Sequence, residues 1–159
     1  MGEFHGTATA HVEATPDAIF DLITDIDRLP DWNAAIESVA ERPPVIDAGA
    51  EWVVVVHPAK LPRWKSRSRV EELDRSRFRF AYRTQTDDGN PSYALWTWQI
   101  AADDDGAQVT VSWDVYPKTL GRRVMAPRIR APQLRREVPM SLAAIGTALA
   151  PPGERAGTS

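Results

Sequence analysis

Residues 7–14 alternate: Ala8, Ala10, Val12 and Ala14 interleave with Thr7, Thr9, His11 and Glu13, and a period of two predicts a half-buried strand. From Thr15 the period lengthens to that of a helix. Thr15 can cap the free amides, Pro16 suits the first helical position because its missing N–H costs nothing there, and Asp17 and Asp21 favour the positive helix end. Ile19, Ile23 and Ile26 form the stripe that faces the core, with Phe20 and Leu22 beside it, and Pro30 stops the helix. A short second helix is predicted next, capped by Asp31 and carrying Trp32, Ala35, Ile36 and Val39 as far as Pro43-Pro44.

Beyond Gly49 the pattern predicts strand after strand, at 51–57, 64–73, 77–84, 93–100 and 108–116. The links are short and rich in turn residues: Asp74-Arg75-Ser76, Asp87-Asp88-Gly89-Asn90-Pro91 and Asp103-Asp104-Asp105-Gly106. None has room for a crossover helix, so the strands are expected to pair as antiparallel hairpins. After Pro117 the period is helical again. Leu134, Val138, Leu142, Ile145 and Leu149 form one apolar stripe, and Leu120, Val124 and Ile129 are candidates to extend it upstream. Pro127, Pro132 and Pro139 oppose that extension, because an interior proline costs about 3 kcal/mol. A broken or kinked path is therefore expected before a well-formed helix at Met140 to Ala150, with a mobile tail over 151–159.

The economical packing of these elements is a curved sheet gripping the last helix, with the two short helices closing one end. A strongly bent sheet and one helix do not easily fill the space between them, so a cavity comes naturally to the arrangement.

At 159 residues and 43% hydrophobic content the chain supports one domain, expected over 5–150. No apolar run approaches the roughly 18 to 20 residues that span a bilayer. Met1-Gly2-Glu3-Phe4-His5 carries acid where a signal peptide needs a basic region, and with zero Cys the cytoplasm is the expected compartment. The absence of Cys excludes thiol nucleophiles, iron–sulfur clusters and thiolate zinc sites together. A net charge of −3 gives no global field for nucleic acid, and no nucleic-acid partner is expected. Charge is unevenly spread, however. Residues 1–51 hold 11 acids against two Arg, and residues 52–159 hold 17 basic residues against 11 acids. Either the two sets pair in the fold, or a basic rim surrounds a site for acidic ligands.

Thr15-Pro16-Asp17-Ala18-Ile19-Phe20-Asp21-Leu22-Ile23, Asp25-Ile26-Asp27-Arg28-Leu29-Pro30-Asp31-Trp32, Trp96-Thr97-Trp98 with an Asp-Asp-Gly turn after it, and Ser141-Leu142 occur in an order that resembles the START-related helix-grip superfamily. More narrowly, the chain is similar to the polyketide cyclase/dehydrase and lipid-transport family, over roughly residues 5–150. The resemblance implies an α+β helix-grip fold: a curved antiparallel β-sheet wrapped around a long C-terminal α-helix, with two short helices after the first strand. Its motifs specify fold better than function, since members include aromatase/cyclases, lipid and hormone carriers and quinone-binding proteins.

For the cyclases, the resemblance implies an inward Arg on the third strand, a nearby Ser, and a Tyr from the short helix. The Arg would stabilise an enolate and the hydroxyls would relay protons. The matching strand here reads Trp64-Lys65-Ser66-Arg67-Ser68-Arg69-Val70. Aligned on Arg69-Val70, it keeps Arg69 as the candidate catalytic residue, puts Arg67 where the Ser is expected, and puts Ile36 at the Tyr position. Register decides what this strand offers. With Trp64, Ser66, Ser68 and Val70 inward the wall is mild and hydroxyl-lined. With Lys65, Arg67 and Arg69 inward it would bury three cations at several kcal/mol each, so the first register is favoured.

Other chemistries are not supported. His5, His11 and His57 lack metal-site spacing, and no metal or cofactor is implied. No Gly-rich phosphate loop or Gly-x-Ser-x-Gly elbow is present. Lys118 to Arg136 holds seven basic residues and no acid, which suits either a solvated helix face or a weak membrane-surface contact. The expectation is a protein that encloses a hydrophobic small molecule, such as a lipid, polyketide or isoprenoid, between sheet and last helix; the alternative is a cyclase or dehydratase using the same cavity. The expected ligand contacts are Trp64, Ser66, Ser68, Phe78, Phe80, Tyr82, Trp96, Trp98 and Leu142, with Arg69 as polar anchor. Each aromatic in that set would serve equally as core packing.

Overall fold

The computed structural model describes residues 4–150; the expected mobile tail lies outside them. Seven strands, β1 (Phe4–Val12), β2 (Ile36–Glu41), β3 (Glu51–Val56), β4 (Trp64–Asp74), β5 (Arg79–Thr86), β6 (Tyr93–Asp103) and β7 (Gly106–Tyr116), form one antiparallel sheet. Their order is β1-β7-β6-β5-β4-β3-β2, so every neighbouring pair from β2 to β7 is consecutive in sequence and β1 closes against β7. The helix-grip fold is the observed one.

Between the two edge strands the chain runs through α1 (Pro16–Thr24), a 3₁₀ turn at Ile26–Arg28 and the single turn α2 (Leu29–Trp32). Thr15 caps α1 as its sequence position suggests, its Oγ1 accepting from the Ala18 N–H at 3.1 Å. Ile19, Phe20, Leu22 and Ile23 are buried beneath it.

One predicted element is replaced. The second helix does not continue past Trp32: residues 36–41 are strand β2, hydrogen-bonded to β3. The helical look of this stretch comes from the register shift between Ile36 and Ser38; a second follows between Val39 and Glu41. An extra residue in a strand turns the next side chain back to the same face. Ile36 and Val39, three apart, are thus both packed against the core, a spacing that imitates a helical stripe.

The C-terminal helix is longer than expected. Helical backbone runs without a break through α3 (Leu120–Met125), a π-helical segment (Ala126–Arg130) and α4 (Ala131–Leu149), 30 residues in all. Pro127 and Pro132 each sit in the first turn of a new segment, where the hydrogen-bond register changes and a proline has no partner to lose. Only Pro139 lies inside α4. Gln133, Leu134, Val138, Ser141, Leu142 and Ile145 form the buried stripe, whereas Leu120, Val124 and Ile129 are exposed and do not extend it.

The uneven charge resolves into pairs across the fold. Arg75 meets Asp17 and Asp21, Arg63 meets Glu37, and Arg67 is held by both Glu41 and Asp87. No helix among the described residues is long and apolar enough to cross a membrane.

Candidate functional site

Alternation along the central strands sets what faces the helix. Ser68 pairs with Thr84, Val70 with Tyr82, Tyr82 with Trp96 and Phe80 with Trp98, so these side chains share the concave face. Trp64, Ser66, Ser68 and Val70 point inward, the register favoured on desolvation grounds. Lys65, Arg67 and Arg69 alternate with them on the outer face.

Between the concave face and the long helix lie two adjoining chambers, partly open to solvent. The inner one, ≈ 90 Å³, is lined by Trp52, Val54, Phe80, Trp96, Trp98, Leu134 and Val138, with Ser68, Tyr82, Asn33, Glu137 and Ser141 as polar groups. The outer one, ≈ 370 Å³, lies towards the start of the helix, between Leu61, Trp64, Tyr93, Ala94 and Val115 on the sheet side and Arg122, Met125, Ala126, Ile129 and Gln133 on the helix side. Ser66, Thr84 and Arg130 line both.

The inner wall is built of packed aromatic rings. Trp52 lies against Phe80 with centroids 6.2 Å apart and meets Tyr82 edge-on at 5.2 Å, while Trp32 abuts Trp98 edge-on at 5.4 Å. Trp98 Nε1 donates to the Tyr82 hydroxyl at 3.1 Å. Burial pushes the Tyr82 phenol up to about 12, so it stays protonated at neutral pH. Ser141 Oγ accepts from the Ala34 N–H at 3.0 Å, tying the entry to β2 to the helix.

Two ionisable groups of the helix reach this wall. Glu137 accepts from Gln133 Nε2 at 3.2 Å, and desolvation holds its carboxyl above the usual range. Arg130 lies with its Cζ 5.7 Å from the centre of the Trp64 ring. Its Nη1 is sealed from solvent and has no hydrogen-bond partner. Burial pulls the guanidinium below its ordinary range, with the attraction of Glu137 opposing.

Against the sequence expectations, Ser66, Ser68, Phe80, Tyr82, Trp96 and Trp98 come together in the inner chamber and Trp64 in the outer one. Three others do not join them. Phe78 adopts a left-handed backbone conformation (φ 49) just before β5 and sets its ring edge-on to Phe20, beneath α1. Leu142 is buried in the core, and its neighbour Ser141 lines the cavity instead. Arg69 requires correction as polar anchor and catalytic candidate. It is exposed on the outer face, opposite Glu51 of β3 and Arg83 of β5, because it alternates with the inward Ser68 and Val70.

Arg130 and Glu137 were missed by the sequence reading. Both fall on the Leu134/Val138 stripe, four residues before Leu134 and one before Val138. Extending the stripe one turn upstream would have found Arg130, had Pro127 and Pro132 not suggested a break. Spacing also hid a meeting of His11 with Asp103 and Asp105, at 3.0 Å each, on the exposed edge of the sheet. Each ring nitrogen faces a different carboxylate, away from both chambers.

A sequence profile of the polyketide cyclase/dehydrase and lipid-transport family matches residues 3–138, so the chain belongs to that family. No curated protein gives a significant sequence match. Among solved structures it is similar to the Zhui aromatase/cyclase of a Streptomyces species (TM-score 0.74, 19% identity, covering 91% of this chain and 92% of that one). It is also similar to a protein of Thermus thermophilus (0.72, 15%, 98% and 100%) and to norcoclaurine synthase from Thalictrum flavum (0.67, 15%, 92% and 86%). At such identities the likeness speaks for the fold.

Proposed function

We propose that this protein binds a hydrophobic small molecule between its sheet and its C-terminal helix, as a carrier or sequestering protein. The observation that carries this reading is the outer chamber. At ≈ 370 Å³ it falls within the roughly 300 to 1,000 Å³ of small-molecule sites, whereas the inner chamber, ≈ 90 Å³, is smaller than the about 150 Å³ cavity that admits benzene. The body of a ligand therefore belongs beside Met125, Ile129 and Ala94, with only a narrow group reaching inward past Ser66 and Thr84. Family membership supports the same ligand class.

Titration with the neutral fluorophore N-phenyl-1-naphthylamine tests it. Saturable enhancement is expected for the wild type, and Ala94→Trp, which fills the outer chamber, should weaken it at least about ten-fold while circular dichroism stays native. Absence of saturable binding would remove the carrier reading. Native mass spectrometry of protein purified from its own host is expected, on the carrier reading, to show a co-purifying hydrophobic molecule.

A further inference from the structure

The junction of the two chambers holds a cation with a free donor. Arg130 is the one charged side chain that lines both chambers. Its Nη1 is buried with no acceptor, although an unpaired buried guanidinium donor is costly enough that native proteins rarely keep one without use. The nearby charges leave it unsatisfied. Glu137, one position before Val138 on the same stripe, accepts from Gln133 at 3.2 Å through both oxygens, and burial favours its neutral form. Arg122, at the outer chamber, donates to Thr86 Oγ1, which is itself bonded to Asp88. Arg63, on the same rim, is held by Glu37. The Arg130 guanidinium stands over the Trp64 ring at the junction, 5.7 Å from its centre.

We propose that the ligand is an amphipathic carboxylate whose acid group is read by Arg130 at the junction, with its apolar body in the outer chamber. This rests on the carrier reading above and names the ligand class for it. A carboxylate supplies what Nη1 lacks, a charge-assisted acceptor, and does so in a desolvated place where that bond is strong. A single negative charge matches a single unpaired guanidinium; a phosphate dianion would bring a second charge beside the Glu137 carboxyl. Apolar contact alone in a chamber of this size gives weak binding, and the acid group provides the polar anchor that tight binding requires.

The test compares decanoate with 1-decanol, equal in chain length and different in head group, as displacers of N-phenyl-1-naphthylamine at neutral pH. In the wild type, decanoate should displace the probe at a concentration at least ten-fold lower than decanol. In Arg130→Met the ratio should fall to within about two-fold, and Arg130→Lys should retain part of it. Equal displacement by acid and alcohol in the wild type, or an undiminished preference in a folded Arg130→Met protein, overturns the proposal. If the Met variant does not fold, carboxyl-labelled decanoate decides by ¹³C NMR on the wild type. Ion pairing requires the carboxyl to titrate at lower pH bound than free, and titration at higher pH bound overturns the proposal. A wild type that binds the neutral probe and shows no acid preference keeps the carrier reading and loses this one; failure to bind the probe removes the carrier reading itself.

Discussion

Gly6 has space for a hydrogen and nothing larger. A Cβ there would overlap the indole of Trp113, which is itself buried. Gly6→Ala is therefore expected to destabilise by about 1 to 3 kcal/mol, as overpacked sites do, read as a lower denaturant midpoint with an unchanged slope. Tyr82 makes a second prediction. Its phenol is raised by burial from its ordinary value near 10 to about 12, so the folded state keeps a proton that the unfolded state releases in that interval. Stability is thus present below pH 10 and falls as pH rises towards 12, by at most about 3 kcal/mol. Tyr82→Phe should flatten that alkaline slope. At neutral pH it should cost about 1 to 3 kcal/mol, because Trp98 Nε1 loses its acceptor. Side-chain direction on the sheet was legible in this way. Alternation alone turned Ser66, Ser68, Phe80, Tyr82, Trp96 and Trp98 towards the cavity. Arg69 was retained as an anchor on family resemblance against that same alternation, and the alternation prevails.

Strand β2 and the long helix mark where local pattern misleads. One bulge, between Ile36 and Ser38, sets Ile36 and Val39 on one face of a strand, which in a linear sequence cannot be told from a helical i, i+3 pair. The partner that decides between them is β3, some fifteen residues downstream, so the answer is tertiary. Proline misleads in the opposite direction. Pro127 and Pro132 look like breaks, yet the π-helical segment between α3 and α4 moves the hydrogen-bond register so that each falls at the start of a segment. Pro139 has no such accommodation; it denies the Arg135 carbonyl its usual donor, and both residues are exposed. Pro139→Ala should restore that bond and raise stability by about 1 to 3 kcal/mol, measured as an upward shift of the urea midpoint. A fall would mean that the stiffness Pro139 gives the unfolded chain outweighs the missing hydrogen bond.

Taken together, the fold makes a cavity whose chemistry depends on which helix and strand faces meet, and this bears on whether it can turn a substrate over. Cyclising a poly-β-ketone chain requires the folded chain, a cation for the enolate and a proton relay in one space. The described cavity lacks the set that the resemblance implied. Arg69 and Arg67 point away from it, Ile36 brings no hydroxyl, and the Tyr82 proton is held by burial. Arg130 borders both chambers, but Glu137 reaches only the inner one, which at ≈ 90 Å³ has no room for a coiled chain. Wild-type protein incubated with a poly-β-ketone surrogate is therefore expected to give no aromatic product above the uncatalysed rate, followed by chromatography. Bound decanoate should instead raise the melting temperature: at about 100 times Kd, mass action adds about 2.7 kcal/mol, or roughly 5 to 10 °C for a chain of this length. Cyclisation that slows in Arg130→Lys more than ligand binding weakens would overturn this expectation, since a group that stabilises an enolate acts on the transition state more than on the bound ketone.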